Sequence, residues 1–177
     1  MASSRSGGRA AVPGFDSLIF VTVGGQLPFD RLVHTVDQWA AQQGRTDVFA
    51  QIGKSSKPPK HIEWQRFLSP ADFQSKAREA EVIIAHAGIG SILTALELGK
   101  PIVLVPRRAQ LGEHRNDHQW ATVKYLRSSA GVVVAADEDE LRKQLERLEE
   151  LPKPTDERSP EYECLLDFLQ CTIGYPT

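Results

Sequence analysis

The chain has 177 residues, of which 41% are hydrophobic and 25% are charged, and its formal net charge is -2. This length suits one α/β domain and excludes two, while the near-neutral charge offers no global attraction to nucleic acid. No run of about 18 apolar residues occurs, and the first residues contain no hydrophobic segment of signal-peptide length. The sequence therefore predicts a soluble, cytoplasmic protein with no membrane span and no nucleic-acid partner.

Apolar runs and glycine turns alternate along most of the chain. Residues 1–17 are rich in Ser, Gly and Arg and are expected to be a disordered leader. Residues 18–23 form a short apolar run typical of a buried strand, and apolar residues at three- and four-residue steps predict a helix over 29–41, closed by Gly44. The further predicted strands are residues 47–52, 62–68, 82–85, 102–105 and 131–135, and the further helices are residues 70–80, 90–98, 113–126 and 137–150.

This alternation predicts a Rossmann-like parallel sheet with helices on both faces, in which ligands bind beyond the carboxyl ends of the strands. Residues 18–150 are expected to form this domain, with an exposed loop over 53–60 and Ser69 capping the helix that starts at Pro70. After a spacer over 151–160, residues 161–171 predict an amphipathic helix that covers the domain's own sheet or contacts a partner. Its cysteines, Cys164 and Cys171, lie about 10 Å apart along the helix, too far for a disulfide.

The segment from His86 to Pro101 predicts a strand, a glycine turn, a helix and the start of another strand. Gly88 and Gly90 allow a close approach of the backbone to a ligand, and the free amides of the first helical turn attract a diphosphate. The spacing lacks the third glycine of the dinucleotide fingerprint and the GK[ST] of a P-loop. From these residues alone, a diphosphate site and a plain tight turn remain alternatives.

Several motifs carry a family resemblance: VTVGGQLPFDRLV, AQIG, HAGIGS, ALELGKP, VPRR and EHRNDHQWAT. They resemble the C-terminal donor domain of family 28 glycosyltransferases, which have a GT-B fold. They are also similar to the small catalytic subunit of the dolichol-linked N-acetylglucosamine transferase and, above all, to the small subunit of bacterial two-component exopolysaccharide glycosyltransferases. The resemblance covers roughly residues 18–145.

The resemblance implies a site for a UDP-sugar at the carboxyl edge of the sheet. It assigns Gly88, Ile89, Gly90 and Ser91, which follow His86, to the diphosphate, and Gly24, Gly25 and Gln26 to the phosphates or the acceptor cleft. His118 and Gln119 match the pair that contacts hydroxyls of the donor sugar, a chemistry that imidazole and amide groups suit. Close helix packing, plain turns and a solvated helix face are the alternatives for these residues.

One position departs from the family pattern. Thr94 stands where the wider family keeps a glutamate for the ribose diol. Glu97 lies one turn later on the same predicted helix face, so it is a candidate for the ribose together with the Thr94 hydroxyl, or else a solvated residue.

A basic and polar segment follows the predicted strand 102–105. Arg107 and Arg108 are candidates to neutralise the diphosphate or a sugar carboxylate, with a basic surface loop as the alternative. The next residues, among them His114, Asn116 and Asp117, are candidates for the same site, although Asn116 or Asp117 equally suits a helix cap.

Inverting transfer from a diphosphate donor needs a general base and charge stabilisation for the leaving group. These residues offer charge stabilisation for the leaving group, and His118 is a candidate for the base if the partner does not supply it. No metal or cofactor is expected. In the two-domain relatives the acceptor site lies on the other domain. The resemblance therefore implies a membrane-associated partner subunit that binds a polyprenyl-diphosphate-linked saccharide and recruits this chain to the inner face of the cytoplasmic membrane.

The donor sugar is not fixed by these residues. The resemblance favours UDP-glucuronate, with UDP-N-acetylglucosamine, UDP-galactose and UDP-glucose as alternatives. Two other functions compete: a non-catalytic nucleotide-sugar-binding or activating subunit, and a flavodoxin-like or signalling domain that binds no nucleotide sugar.

Overall fold

The structure is a computed structural model that describes residues 18–115, 118–126 and 131–153 and the single residue Asp167; for residues 118, 121, 122 and 125 it describes the backbone alone. Six strands are present in these ranges: β1 Leu18–Thr22, β2 Val48–Gln51, β3 Glu63–Gln65, β4 Ala80–His86, β5 Ile102–Val105 and β6 Val132–Val134. The α-helices are α1 Asp30–Gln43, α2 Pro70–Glu79, α3 Ile89–Glu97, α4 His118–Leu126 and α5 Glu138–Leu145. Short 3-10 turns cover Ala109–Leu111 and Leu148–Glu150.

The strands form one sheet in the order β3-β2-β1-β4-β5-β6, and every neighbouring pair is parallel. This confirms the predicted α/β fold with a parallel sheet. The chain first builds the sheet outwards from β1 to β3 and then returns to the other side of β1 with β4. In sheets of this kind a crevice opens at the carboxyl ends of the strands where the order reverses, which here is between β1 and β4.

The core has two layers, one on each face of the sheet. Alternate strand residues such as Val21 and Ile84 pack with Leu32 of α1 and Leu141 of α5. The other strand positions, such as Phe20, pack with the helices α2 and α3 on the opposite face. Both faces of the central strands are buried, which explains why these strands are continuous apolar runs in the sequence.

Local signals in the sequence explain where several elements begin and end. Gly44 has a left-handed conformation (φ 64°) and ends α1, as predicted. Ser69 Oγ accepts a hydrogen bond from the Asp72 amide at 3.1 Å and caps α2, with Pro70 at the first helical position. These two helix ends are confirmed.

Other predicted bounds were wrong. The predicted strand over 62–68 is reduced to three exposed residues at the sheet edge, since β3 has a neighbour on one side. The predicted helix over 113–126 begins at His118, because Glu113 is engaged in an ion pair and residues 113–115 form bends. The last predicted helix, 137–150, ends at Leu145 and is followed by the turn Leu148–Glu150.

Some predictions fall outside the described residues: the leader over 1–17, nearly all of the helix over 161–171, and the positions Asn116 and Asp117. Within the described ranges, no helix has the length and apolar character needed to cross a membrane.

Candidate functional site

A cavity of about 590 Å³ lies at the carboxyl edge of the sheet, where β1, β2, β4 and β5 end. Its lining includes most of the predicted site residues: Gly24, Gly25, Gln26, His86, Gly88, Ile89, Gly90, Ser91, Thr94, Arg107, His114 and Gln119. The structure therefore brings together residues that are up to 95 positions apart in the sequence, from Gly24 to Gln119. Glu97 and Arg108 do not line this cavity, and the side chain of His118 is outside the described part of the chain.

The amino terminus of α3 faces the cavity. Gly88 occupies the N-cap position with extended backbone angles, and no side chain caps the helix there. The amides of the first helical turn have no acceptor within the helix, because the first internal bond runs from Ile92 to the Gly88 carbonyl. Free amides together with the positive end of the helix dipole form a site that suits an anion such as a diphosphate.

The His86 ring lies between the two glycine turns. A Cβ atom added to Gly88 would lie 2.2 Å from His86 Nε2, and one added to Gly24 would lie 2.7 Å from His86 Cε1. Gly24 also has a φ of 70°, a conformation that other residues rarely adopt. A Cβ at either position would force the imidazole or the backbone to shift, so the two glycines leave room for His86 between the turns after β1 and β4.

His86 is held in the neutral form. Burial, followed by the nearby positive charge of Arg107, lowers the pKa of His86 to about 4. Its Nδ1 is buried and has no hydrogen-bond partner of good geometry in the described residues. A neutral imidazole presents one donor and one acceptor, so His86 can contact a ligand without adding charge to the cavity.

Arg107 holds the backbone around the cavity. Its two terminal nitrogens donate to four carbonyl oxygens at 2.6 to 3.0 Å, those of Val23, Leu27, Pro28 and Glu113. The guanidinium also lies 4.6 Å from the centre of the Phe29 ring, and the side chain is 3% exposed. Burial lowers the pKa of Arg107 to about 10, so the group stays charged at neutral pH.

These contacts revise the predicted role of the two arginines. The four terminal N–H groups of Arg107 bind backbone oxygens and are not free to grip a diphosphate or a carboxylate. Arg108 points elsewhere and donates to the Ala136 carbonyl at 2.8 Å. Because Arg107 and Arg108 follow a strand, the sequence suggested that they neutralise a bound diphosphate or carboxylate. It could not show that backbone carbonyls of the same chain surround Arg107.

The ion pair between Arg31 and Glu113 fixes the segment that leads to α4. Arg31, in the first turn of α1, donates to both carboxylate oxygens of Glu113 at 2.8 and 2.9 Å and to the Pro106 carbonyl at 3.1 Å. Burial lowers the pKa of Arg31, but the Glu113 carboxylate outweighs this effect and the pKa is raised. Glu113 also accepts a hydrogen bond from the Arg108 amide. The start of α1 and the β5–α4 segment are thereby joined.

Gln119 and Thr94 reach the cavity from α4 and α3. Gln119 is buried, and its Oε1 accepts a hydrogen bond from the Arg107 amide at 2.9 Å, which orients its NH₂ group. Thr94 is 8% exposed and donates to the Gly90 carbonyl, whereas Glu97 is exposed to solvent. Of the two residues considered for the ribose, the structure brings Thr94 and not Glu97 to the cavity.

Sequence reasoning missed several residues of the site. Thr22, Gln51 and Phe73 line the cavity, and Arg31 supports it through Glu113. Thr22 and Gln51 are polar residues at the ends of buried strands, a pattern visible in the sequence as VTVGG and AQIG. No group of three or more His, Cys, Asp or Glu side chains arranged to share a metal ion occurs in the described ranges.

Known proteins share this sequence pattern. A UDP-N-acetylglucosamine transferase subunit ALG13 from Mus musculus is 32% identical over 117 residues, which cover 60% of this chain and 10% of that protein. The subunit of the same name from Yarrowia lipolytica is 28% identical over 135 residues, or 69% of this chain and 66% of that protein. The chain thus spans about a tenth of the mouse relative and close to two thirds of the yeast one.

Solved structures share the fold. A solution structure of ALG13 matches with a TM-score of 0.58 at 22% identity and covers 85% of this chain and 94% of its own. The crystal structure of MurG from Acinetobacter baumannii matches with a TM-score of 0.56 at 18% identity and covers 89% of this chain and 51% of its own. The family model of the glycosyltransferase family 28 C-terminal domain matches residues 18–163. The chain therefore belongs to the family of glycosyltransferase family 28 C-terminal domains.

Proposed function

We propose that this chain is the donor-binding catalytic subunit of a heteromeric inverting glycosyltransferase that uses a UDP-sugar. The observation that carries the proposal is the uncapped amino terminus of α3, which opens into the cavity at the point where the strand order reverses, in a chain of this glycosyltransferase family. The relatives named as UDP-N-acetylglucosamine transferase subunits support a UDP-sugar as the donor.

In the proposed complex, the diphosphate lies against residues 88–91 and accepts hydrogen bonds from the free amides of residues 89–91, since the Gly88 amide donates to the His86 carbonyl. The helix dipole and these amides stabilise the negative charge that develops on the leaving diphosphate. Gln119, whose oxygen is held by the Arg107 amide, presents its NH₂ group to a hydroxyl of the donor sugar. His118 is proposed to act beside it, as the DHQ motif suggests.

The general base and the acceptor site belong, in this proposal, to a partner polypeptide. The chain matches 51% of the MurG chain, so its fold corresponds to about half of a longer protein. We propose that residues 18–150 form the donor half, that residues 151–177 form a spacer and a helix, and that a membrane-associated partner supplies the other half. The acceptor would be a polyprenyl-diphosphate-linked saccharide of exopolysaccharide synthesis, at the inner face of the cytoplasmic membrane.

Two donors deserve direct comparison. UDP-glucuronate follows from the sequence resemblance to exopolysaccharide transferases, but Arg107 is bound to carbonyls and Arg108 does not line the cavity. UDP-N-acetylglucosamine is favoured by the names of the relatives. Competition of each UDP-sugar against labelled UDP, measured with the same protein preparation, ranks them.

Titration calorimetry with UDP and UMP tests the donor site. We expect UDP to bind and UMP to bind more weakly, because UMP lacks one phosphate for the α3 amides. Absence of UDP binding, both by the isolated chain and by its complex with a co-purified partner, would contradict the donor-site proposal and favour an α/β domain without a nucleotide sugar.

Transfer assays test the catalytic role. We expect sugar transfer to a lipid-linked acceptor by the complex and none by the isolated chain. In the complex, Gln119→Ala should reduce transfer, while Gln42→Ala on the exposed surface of α1 serves as the control. Unchanged transfer by Gln119→Ala and His118→Ala would instead favour a non-catalytic binding subunit.

A further inference from the structure

A pair of neutral polar side chains lies at the carboxyl ends of β1 and β2. Thr22 and Gln51 are direct register partners on these parallel strands. Both are buried, with 0% and 8% of their surface exposed, and both line the cavity. They lie on the face of the sheet that is covered by α2 and α3, because each follows a residue of that core layer by two positions.

The orientation of the Gln51 amide is set by a short chain of hydrogen bonds. The Gly24 amide donates to Thr22 Oγ1 at 3.3 Å, and the Thr22 hydroxyl donates to Gln51 Oε1 at 3.2 Å. With its oxygen occupied, Gln51 has two N–H donors left on Nε2. Within the described ranges, the hydrogen bond from Thr22 is the one that the Gln51 side chain makes. Its amide nitrogen is not among the buried atoms that lack a partner, and Gln51 lines the cavity, so these N–H donors are available to water or to a ligand there.

The surroundings of Gln51 restrict what it can bind. Phe73, from α2, lines the same cavity and contributes an apolar ring. Thr22, Gln51 and Phe73 carry no charge, in contrast to the α3 amino terminus, which attracts anions. The uncharged donors at the ends of β1 and β2 therefore suit a neutral acceptor oxygen, such as a carbonyl of a base or a hydroxyl or acetamido oxygen of a sugar, and Phe73 adds an apolar ring to the same cavity.

We infer that Gln51, held in place by Thr22, is a ligand-binding residue that donates a hydrogen bond to a neutral oxygen of the bound nucleotide sugar. The inference rests on the proposed UDP-sugar function. It adds that a neutral oxygen of the ligand lies at the ends of β1 and β2. The diphosphate lies at the α3 amides, and this second contact fixes one end of the ligand relative to it.

Binding of UDP, UDP-N-acetylglucosamine and UDP-glucuronate to Gln51→Leu tests this assignment. Leucine preserves the volume and removes both N–H donors, so we expect a roughly 10- to 100-fold loss of affinity for at least one of these ligands. The matched control is Gln65→Leu, since Gln65 is the register partner of Gln51 on β3 but is exposed and outside the cavity. The control should bind like the wild type.

The three ligands distinguish the two sources of the oxygen. An affinity loss already present with UDP places the contact on the nucleoside, and a loss confined to the UDP-sugars places it on the sugar. Gln51→Leu that binds all three within twofold of the wild type would overturn the inference while leaving the UDP-sugar function intact. A wild-type protein that binds none of them would overturn both proposals.

A measurement on the wild-type protein covers the case in which Gln51→Leu fails to fold. In NMR spectra, addition of UDP-N-acetylglucosamine should shift the side-chain NH₂ signals of Gln51 and leave those of Gln65 in place. Equal and negligible shifts of both side chains at a saturating ligand concentration would overturn the inference.

Discussion

The imidazole of His86 explains two glycines that the sequence alone presents as turn residues. Gly24 and Gly88 belong to different turns, and an added Cβ at either position would collide with the ring. The sequence suggested that these glycines allow a ligand to approach the backbone. The structure adds that they allow a histidine of the same chain to lie between them, at the base of the proposed diphosphate site.

The neutral state of His86 leads to a pH-dependent stability. Its pKa is about 4 in the folded chain and about 6.5 when unfolded. Between these values the unfolded chain binds the proton and the folded chain does not, so acidification from pH 6.5 to 4 destabilises the fold, by up to about 1.4 kcal/mol per pH unit. Urea unfolding at several pH values should show a shallower decrease for His86→Gln. Identical pH profiles of the two proteins would contradict the buried neutral state.

The sequence correctly predicted that Arg107 lies at the site, but it did not predict which groups the guanidinium binds. A guanidinium was expected near the site, and it lies there, but it binds four backbone carbonyls around the cavity. Its role is to hold the turn that follows β1 in place. Positioning of this kind cannot be read from the sequence, because the carbonyls come from every residue type.

Replacement of Arg107 by lysine should separate charge from geometry. The ammonium group keeps the charge but has three donors on one atom, so it cannot reach four carbonyls at once. We expect Arg107→Lys to lose about 2 to 4 kcal/mol of stability, as when a buried charged network is broken, and to bind UDP more weakly. Arg108→Lys, whose side chain donates to one carbonyl, is the control for urea unfolding and calorimetry. Equal urea midpoints for both variants would argue against a stabilising role of the four Arg107–carbonyl hydrogen bonds.

At the scale of elements, helix α1 organises the loop between β2 and β3. Asp37 is 5% exposed, and its carboxylate accepts hydrogen bonds from the amides of Lys60, His61 and Ile62 at 2.7 to 3.2 Å. Two turns earlier, Asp30 binds the amide and the hydroxyl of Ser56. The loop therefore lies along the helix, although its sequence, rich in lysine and proline, predicted an exposed loop without such anchors.

Asp37→Ala should release this loop. The loss of a carboxylate that satisfies three amides is expected to cost about 2 to 3 kcal/mol, since hydrogen bonds to charged groups contribute more than neutral ones. Hydrogen exchange of the amides of residues 60–62 should accelerate more than that of the central strands, whose exchange should become faster only as far as the loss of global stability requires. Asp139→Ala, with an 85% exposed carboxylate, is the control. Unchanged exchange at residues 60–62 would rule out the anchor.

The elements show what periodicity can and cannot predict. The buried strands and the helices α1, α2 and α3 follow from apolar patterns and end signals that act within a few residues, such as Ser69 and Gly44. The start of α4 was predicted five residues too early, because the Arg31–Glu113 pair joins residues 82 positions apart and holds Glu113 outside the helix. Edge strand β3 was predicted too long for a similar reason, since its length depends on how many residues pair with the neighbouring strand β2.

Thr22 and Gln51 were missed as site residues because their pairing across β1 and β2 is a property of the sheet.

At the scale of the whole molecule, the cavity is formed by the ends of four strands, the segments that follow them and residues of α2, α3 and α4. The turns after β1 and β4, the end of β2 and the β5–α4 segment meet at one edge. Arg107 joins the turn after β1 to the β5–α4 segment, and Thr22 joins the end of β1 to the end of β2. Global unfolding must therefore separate the groups that form the site. A ligand that bridges them binds the folded chain in preference to the unfolded chain, so its binding energy adds to the stability of the whole domain.

The size of this coupling can be predicted for UDP. At a free concentration of 100 times its Kd, a ligand specific for the folded state adds about 2.7 kcal/mol, which for a chain of this size raises the Tm by about 5 to 10 °C. UMP at the same concentration should raise it less, because it presents one phosphate to the α3 amides in place of two. Scanning calorimetry of the wild type and of Gly88→Ala checks the origin of the effect, since an added methyl group there collides with His86 and disturbs the amino terminus of α3. Equal shifts by UDP and UMP, or a full UDP shift in Gly88→Ala, would place the nucleotide away from the α3 amino terminus.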